Sequence, residues 1–247
     1  MAKFSFHCQC YKRENLAGID RHNRRRNKNY GNKDIDAERS IDNRVYITPD
    51  TTLYQECKKQ IEERVLSRGG RVTKASNWIC ECIFSYPEEL PRERMDEYYG
   101  IVLEYIASRL GSCNLVEAVV HMDEAGLPHM HLDVLTITED NRLSSKNLIT
   151  KEFITAVHNE LPVILKGKGF DIERGSAEHA TAGLDAKDYK KQMDKEAASL
   201  DERLESLTAE YNDLVDAYND LLRSRKLLEQ GNLKKAHEII NARQIIR

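Results

Sequence analysis

The sequence predicts an α+β fold, in which an antiparallel sheet with flanking helices is followed by a long C-terminal helix. Two observations support this prediction. Along residues 1–175, short strand-like stretches alternate with longer segments whose apolar residues recur at helical spacing. Beyond Gly183 the composition changes, and leucines recur at every seventh position, which is the repeat of a coiled coil.

Six segments have the apolar–polar alternation or the β-branched and aromatic content of strands. In chain order they are residues 3–11, 43–48, 77–86, 113–121, 128–138 and 170–175. The third stops at Pro87. The fourth and fifth are joined by a short turn containing Gly126, and we expect them to form a hairpin. The last is expected to be a short strand or an edge segment.

Four intervening segments have helical spacing. They are residues 14–27, 51–69, 91–111 and 150–169. The second ends at Gly69 and the third at Gly111, because glycine commonly follows the last turn of a helix. Pro162 lies within the fourth and is expected to kink it or to end part of it.

We therefore expect a domain over residues 1–184, a coiled-coil helix over residues 185–230 and a short terminal helix over residues 231–247. The heptad leucines are Leu200, Leu207, Leu214, Leu221 and Leu228. The apolar seam is narrow and the other faces are charged, which favours self-association as a homodimer over folding back onto the domain. A spacer that leads toward a partner is a further alternative.

Composition narrows the class of protein. The formal net charge is -3, yet basic residues cluster near the N-terminus and could neutralise phosphates. They are Lys12, Arg13, Arg21, Arg24, Arg25, Arg26, Lys28 and Lys33. We expect no membrane segment and a cytoplasmic location, because no apolar run is long enough to span a bilayer and the N-terminus lacks a signal-peptide core. Without a C-x-x-C pair, the cysteines suggest neither a zinc ribbon nor a thioredoxin site.

The stretch HMDEAGLPHMH, residues 121–131, has the spacing of a metal site. His129 and His131 alternate along a strand and therefore point to one face, and His121 ends the strand across the hairpin. Three imidazoles meeting there would leave coordination positions open, as catalytic metals require. Glu124, in the turn, could orient a histidine or accept a proton. The alternative of three surface histidines fits this close spacing less well.

His22 lies among arginines in the basic segment, and their charge disfavours its protonated form. A neutral imidazole is a competent nucleophile, and neighbouring arginines could hold the phosphate that it attacks. The residues alone leave a second interpretation open, in which the basic segment around His22 only binds nucleic acid. The other histidines are isolated, and we expect structural or surface roles for them. These are His7, His158, His179 and His237.

Two long motifs resemble those of the Mob/Pre (MobV-type) plasmid mobilisation relaxases, which belong to the HUH endonuclease class. The stretch HNRRRNKNYGNKDIDAERSIDN is similar to the first motif of that family, and HMDEAGLPHMH to its metal motif. FDIERGSAEHATAGLDAKDYK resembles its closing segment. The resemblance covers about residues 1–190. It departs at Arg44, where the family often has an aromatic residue, and Tyr46 follows two positions later.

The resemblance implies an HUH-type sheet and a metal-dependent relaxase that nicks one strand at a plasmid origin of transfer. His22 would become bonded to the DNA 5′-phosphate, His121, His129 and His131 would hold Mn²⁺ or Mg²⁺, and Arg25 would clamp the phosphate. Glu124 would accept a proton or orient a ligand. The expected DNA contacts are Arg21, Arg24, Arg26, Lys28, Asn32, Asn43, Arg44 and Arg174.

Two other functions are compatible with parts of the sequence. One is an HUH replication initiator with a tyrosine nucleophile, for which the candidates are Tyr11, Tyr30 and Tyr46. The other is a coiled-coil adaptor that binds DNA without catalysis. Replacing His22 separates the first from a relaxase, and replacing His129 or His131 separates the second.

Overall fold

The computed structural model describes residues 1–27, 35–175 and 186–244. The chain divides into two compact units, Met1–His179 and Ala180–Arg247. In the first unit, seven strands form two sheets. The strands are β1 (Ala2–Phe4), β2 (Phe6–Lys12), β3 (Arg44–Ile47), β4 (Asn77–Ser85), β5 (Leu115–His121), β6 (His129–Leu135) and β7 (Ile172–Arg174).

The main sheet has five strands in the order β2-β4-β6-β5-β3, and every neighbouring pair is antiparallel. The predicted hairpin is present, since β5 pairs with β6 and His121 lies directly opposite His129. The strands β1 and β7 form a separate parallel pair. The predicted α+β fold is thereby confirmed.

Five α-helices accompany the sheets in this unit. They are α1 (Leu16–Asn23), α2 (Leu53–Arg64), α3 (Met95–Leu110), α4 (Ser145–Leu148) and α5 (Lys151–Gly167). Helix α2 begins with a capping box, in which the Thr52 side chain accepts from the Gln55 backbone and the Gln55 side chain accepts from the Thr52 backbone. The Leu53 backbone N–H also donates to Asp20 Oδ1 at 3.0 Å, which ties the start of α2 to α1.

The two faces of the main sheet differ in chemistry. One face is apolar, and residues such as Phe84, Met130 and Val120 are fully buried in a core with α3 and α5. On the other face, α1 and α2 cover a smaller apolar cluster around Ile79 and Leu135. Most other side chains on that second face are polar, with Ile83 and Val119 beside His131 as exceptions. Because side chains alternate along strands, the histidines of β5 and β6 belong to this polar face.

Two expectations about the secondary structure differ from what the structure shows. The strand expected at residues 3–11 is two strands, because the chain changes sheets at Ser5: Phe4 pairs with Arg174, whereas Phe6 pairs with Phe84. Pro162 does not end its helix, which continues to Gly167 with the proline on the buried side.

The described residues of the second unit form a long helix and a short one. They are α6 (Ala186–Glu229) and α7 (Leu233–Gln244). The five heptad leucines of α6 are all between 47% and 69% exposed in this single chain. Residues 230–232 separate the two helices. Among the helices that the structure describes, none combines the length and the apolar character that crossing a bilayer requires.

Candidate functional site

Three imidazoles meet at one end of the β5–β6 hairpin, on the polar face of the sheet. The ring centroids of His121 and His131 are 4.5 Å apart, those of His129 and His131 are 5.0 Å apart, and those of His121 and His129 are 5.5 Å apart. The residues that the spacing predicts to converge do lie together. Their role as metal ligands stays a prediction.

Each of these rings is fixed through one of its two nitrogens. His121 Nε2 lies 3.3 Å from the Asn23 carbonyl oxygen, His129 Nδ1 lies 3.0 Å from that of Leu127, and His131 Nδ1 lies 2.8 Å from Glu81 Oε1. All three partners are acceptors, and His121 faces a second one, because its Nδ1 lies 3.3 Å from Glu124 Oε1. Contacts to one ring nitrogen direct the other nitrogen toward the cluster, which is how a protein orients histidine ligands.

One of the remaining nitrogens, His131 Nε2, is buried and has no hydrogen-bond partner within the part of the chain that the structure describes. Burial also lowers the pKa of both His121 and His129, so these rings are neutral near pH 7. Neutral imidazoles with unused lone pairs suit a divalent cation, and the residues present therefore fit a metal ion.

His22, near the end of α1, lies against the same cluster. Its ring centroid is 5.0 Å from that of His121 and 5.2 Å from that of His131. Burial, followed by the neighbouring His131 and His121, lowers the pKa of His22 to about 4, which leaves the ring neutral at pH 7. The side chain is 32% exposed, so it faces the site while remaining open to solvent.

Glu124 lies among the histidines. Its Oε1 is 3.3 Å from His121 Nδ1 and 3.5 Å from His22 Nε2, and its Oε2 is 4.0 Å from His129 Nε2. Burial raises the pKa of this carboxyl, but the hydrogen bonds from His121 and Arg25 outweigh burial and hold the pKa far below its usual range. Two triplets have ligand atoms within 4.8 Å of one another: His22, His121 and His131 form one, and His121, Glu124 and His129 the other.

Arg25, the phosphate clamp that the resemblance implies, has two carboxylate partners in this structure. Its Nε and Nη2 donate to both oxygens of Asp123 at 2.8 and 2.6 Å, and Nη2 also donates to Glu124 Oε1 at 2.7 Å. The side chain is only 7% exposed. Although burial raises the pKa of Asp123, hydrogen bonds from Arg25 and Ser40 lower it to about 2. In this structure the Arg25 guanidinium therefore binds the carboxylates of Asp123 and Glu124 and holds the turn in place.

Two further residues expected to contact DNA have structural partners instead. Arg24 donates to Glu117 Oε1 at 2.7 Å and to the Thr51 carbonyl oxygen at 3.0 Å, and its side chain is 12% exposed. Asn43 accepts from the Met122 backbone N–H at 2.7 Å and so secures the start of the turn. Their roles as DNA contacts stay predictions, and in the DNA-free structure both side chains have partners inside the domain.

The remaining expected DNA contacts fall into two groups. Arg21, Arg26, Arg44 and Arg174 have exposed or half-buried side chains in the structure. Among these, Arg44 pairs with Asp96 at 2.7 Å and Arg174 donates to Asn159 at 2.5 Å. Lys28 and Asn32 lie outside the described residues, as does Tyr30.

A row of buried carboxylates beneath the histidines was missed by the sequence analysis. Glu81, Asp133 and Glu117 occupy directly paired positions on β4, β6 and β5, and none is more than 7% exposed. Burial raises the pKa of Asp133 well above its usual value, with repulsion from Glu81 and Glu117 as further causes. Asn23 Nδ2 donates to both Glu117 and Asp133 at 3.1 Å, which fixes α1 to the sheet directly beside His22. The sequence carried one signal for this row, because each of these strands has a single acidic residue among mostly apolar ones.

Neither of the two candidate tyrosines that the structure describes joins the histidines. The Tyr46 hydroxyl donates to Asp96, and its ring packs against Tyr99 of α3, on the apolar side of the sheet. Burial raises the pKa of Tyr46, which makes its ionised form less accessible. Tyr11 packs against the smaller apolar cluster under α1 and α2.

A five-stranded antiparallel sheet, with a histidine pair on its central strand and a third histidine across the hairpin, defines a domain of the HUH class, as the sequence predicts. Comparison with known families then identifies the lineage. The model of the plasmid recombination enzyme (Mob/Pre) family matches residues 1–191, and the chain belongs to this family.

Relatives and solved structures agree with this assignment. The chain is 34% identical to a plasmid recombination enzyme of Bacillus thuringiensis over 84% of its own length and 46% of the relative's. For one from Lactiplantibacillus plantarum the identity is 32%, over 72% of this chain and 50% of the relative. The chain thus spans about half the length of these relatives. It also resembles the crystal structure of the Mn-bound MobM relaxase domain with plasmid oriT DNA, at a TM-score of 0.71 and 26% identity, over 78% of this chain and all of that one.

Proposed function

We propose that this chain is the catalytic part of a relaxase that nicks one strand of plasmid DNA at an origin of transfer, for mobilisation or recombination. The observation that carries the proposal is the convergence of four imidazoles, those of His22, His121, His129 and His131, beside an exposed basic helix end. The Mn-bound, oriT-bound state of the similar MobM domain supports both the substrate and the ion.

His121, His129 and His131 would hold the ion, which we take to be Mn²⁺ or Mg²⁺. When bound, such an ion polarises a phosphate oxygen and neutralises charge that develops on it. The chain's own contribution is to fix the three rings through Asn23, Leu127 and Glu81 so that their lone pairs point to one place.

His22 is the proposed nucleophile. The lone pair of its neutral ring attacks phosphorus, a nitrogen–phosphorus bond forms, and the bond between phosphorus and the 3′-oxygen breaks. The imidazole proton passes by way of Glu124 to the departing 3′-oxygen, so the products are a 5′-phosphate joined to His22 and a free 3′-hydroxyl. Because the new bond retains the energy of the phosphodiester, a 3′-hydroxyl can attack it and rejoin the strand. Glu124 lies 3.5 Å from His22 Nε2 and is the proposed acceptor of the imidazole proton.

Exposed arginines at the end of α1 would hold the DNA backbone. Arg21 and Arg26 are exposed on the segment that carries His22, and contacts of this kind position a strand without reading its bases. We retain Arg44, Arg174, Lys28 and Asn32 as proposed contacts. Arg25 is assigned the positioning of Glu124 in place of direct phosphate binding.

The long helix α6 is proposed to form a homodimer with a second copy of the chain. A strip of leucines and tyrosines at heptad spacing stays exposed along a helix of about 66 Å, the length expected for its 44 residues. Pairing with an identical strip would bury it in the manner of a coiled coil. We also propose the cytoplasmic location that the sequence predicts.

The test mixes the protein and Mn²⁺ with supercoiled plasmid that bears its own mobilisation region. We expect a nicked circle with protein joined to one 5′ end, and its loss in His22→Ala. The control is His237→Ala, an exposed histidine of the second unit, which should nick normally. An adduct that persists in His22→Ala would favour a tyrosine nucleophile. DNA binding with no cleavage in the wild type, unchanged in His129→Ala, would favour the adaptor.

A further inference from the structure

The position of His22 has a feature that a nucleophile alone does not require. Its ring lies 5.0 Å from that of His121 and 5.2 Å from that of His131, whereas His129 lies 5.5 and 5.0 Å from the same two rings. By distance, His22 is as much a member of the cluster as His129. A scissile phosphate lying between the ion and the nucleophile would occupy the space in which these rings now meet.

The potential ligand atoms show the same arrangement. One atom each from His22, His121 and His131 lie within 4.8 Å of one another, so His22 forms a complete triplet with two of the proposed ligands. The other triplet contains His129 and Glu124, and His121 is common to both. The buried Nε2 of His131, which has no hydrogen-bond partner among the described residues, belongs to the first triplet.

The chemistry of the four side chains permits a shared ion. Imidazole binds divalent ions of the first transition series, among which Mn²⁺ is held most weakly, and a neutral ring has one lone pair to give. His22 is partly exposed, at 32%, and it sits at the end of α1, so its ring can turn away without disturbing the core. His121 and His131 are almost fully buried and are fixed by hydrogen bonds. The displaceable member of the cluster is therefore His22.

We infer that in the DNA-free protein His22 is itself a ligand of the ion, together with His121 and His131, and that the scissile phosphate displaces it. This inference rests on the proposed function, and it adds a resting state in which the nucleophile's lone pair is occupied. A site of this kind keeps the imidazole from reacting until a phosphate takes its coordination position. It also requires that DNA and His22 compete for the ion.

Titration with Mn²⁺, in which electron paramagnetic resonance counts the free ion, tests the inference without any turnover. In the absence of DNA, His22→Ala should bind Mn²⁺ at least about tenfold more weakly than the wild type, as expected for the loss of a ligand. With a saturating origin oligonucleotide that carries a thiophosphate at the scissile position, the two proteins should bind Mn²⁺ equally well. The matched control, His237→Ala, should behave as the wild type in both titrations.

A second measurement covers the case in which His22→Ala folds poorly. Diethyl pyrocarbonate modifies neutral imidazoles, and mass spectrometry of the wild type reports the modification at each histidine. Mn²⁺ should protect His22, and the oligonucleotide without Mn²⁺ should protect it less. Equal Mn²⁺ affinity of wild type and His22→Ala without DNA, or equal His22 modification with and without Mn²⁺, would overturn the inference. In either case, covalent adduct formation by the wild type still tests the proposed function separately.

Discussion

Replacing Glu81 tests the proposed ion site through a residue that orients His131, one of its proposed ligands. Glu81 Oε1 accepts a hydrogen bond from His131 Nδ1 at 2.8 Å, with both side chains more than 90% buried. A hydrogen bond to a charged acceptor contributes about 1.5–3 kcal/mol, whereas a neutral one contributes about 0.5–1.5 kcal/mol. Glu81→Gln keeps an acceptor and loses the charge, a difference of about 1–1.5 kcal/mol, which corresponds to about a tenfold weaker affinity for Mn²⁺.

The same substitution should leave the metal-free fold nearly intact. Glu81 is paired in register with Asp133, whose pKa is raised by burial and then by repulsion from Glu81. Glu81→Gln also removes a charge from the buried row, which offsets the weaker hydrogen bond to His131, so the free energy of unfolding without metal should change by less than about 1 kcal/mol. Lower affinity for the ion without lower stability is the signature of a residue that orients a ligand.

Isothermal titration with Mn²⁺ and urea unfolding followed by circular dichroism measure the two quantities. Glu117→Gln is the matched control, because Glu117 belongs to the same buried row but accepts hydrogen bonds from Arg24 and Asn23. We expect its Mn²⁺ affinity to match the wild type. The reasoning fails if Glu81→Gln binds Mn²⁺ as tightly as the wild type, or if both variants weaken binding equally.

Three further predictions concern the buried ion pair of Arg24, the pKa of His22 and the leucine seam of the long helix. Arg24→Ala should lower the free energy of unfolding by about 3–5 kcal/mol in urea denaturation, because the buried Glu117 carboxylate loses its cationic partner. A loss below about 1 kcal/mol would contradict this role. The folded-state pKa of His22, about 4, lies below the value of 6.5 for free histidine, so the unfolded chain binds protons first. The metal-free wild type should therefore lose stability as the pH falls from 6.5 to 4, and His22→Ala should lose less; identical pH profiles would refute this. Leu214→Asp should convert a dimer to a monomer in sedimentation equilibrium whereas Asp216→Ser, off the seam, should not, and a wild type that is monomeric at all concentrations would disprove the dimer.

The fold and the histidine cluster were predictable because both depend on short-range patterns. Strand alternation places His129 and His131 on one face, and a short turn brings His121 opposite them. The change of sheets at Ser5 was not predictable in this way, since it depends on which distant strand pairs with each half of the segment.

The roles of the polar residues around His22 were less accessible from the sequence. Arg24 and Arg25 read as two members of a basic cluster, but their carboxylate partners lie 93 to 99 positions further along the chain. A local pattern reports charge and spacing, and it does not report which charges the fold neutralises. The same limit applies to Asn43, whose partner is the Met122 backbone N–H.

Mass spectrometry of the DNA-linked peptide tests the central claim most directly. The protein is mixed with Mn²⁺ and an origin oligonucleotide, trapped after cleavage, and digested with nuclease and protease. We predict a nucleotide joined through phosphorus to the peptide that contains His22, with the acid lability of a phosphoramidate. A nucleotide on an acid-stable linkage to a tyrosine peptide would contradict the account.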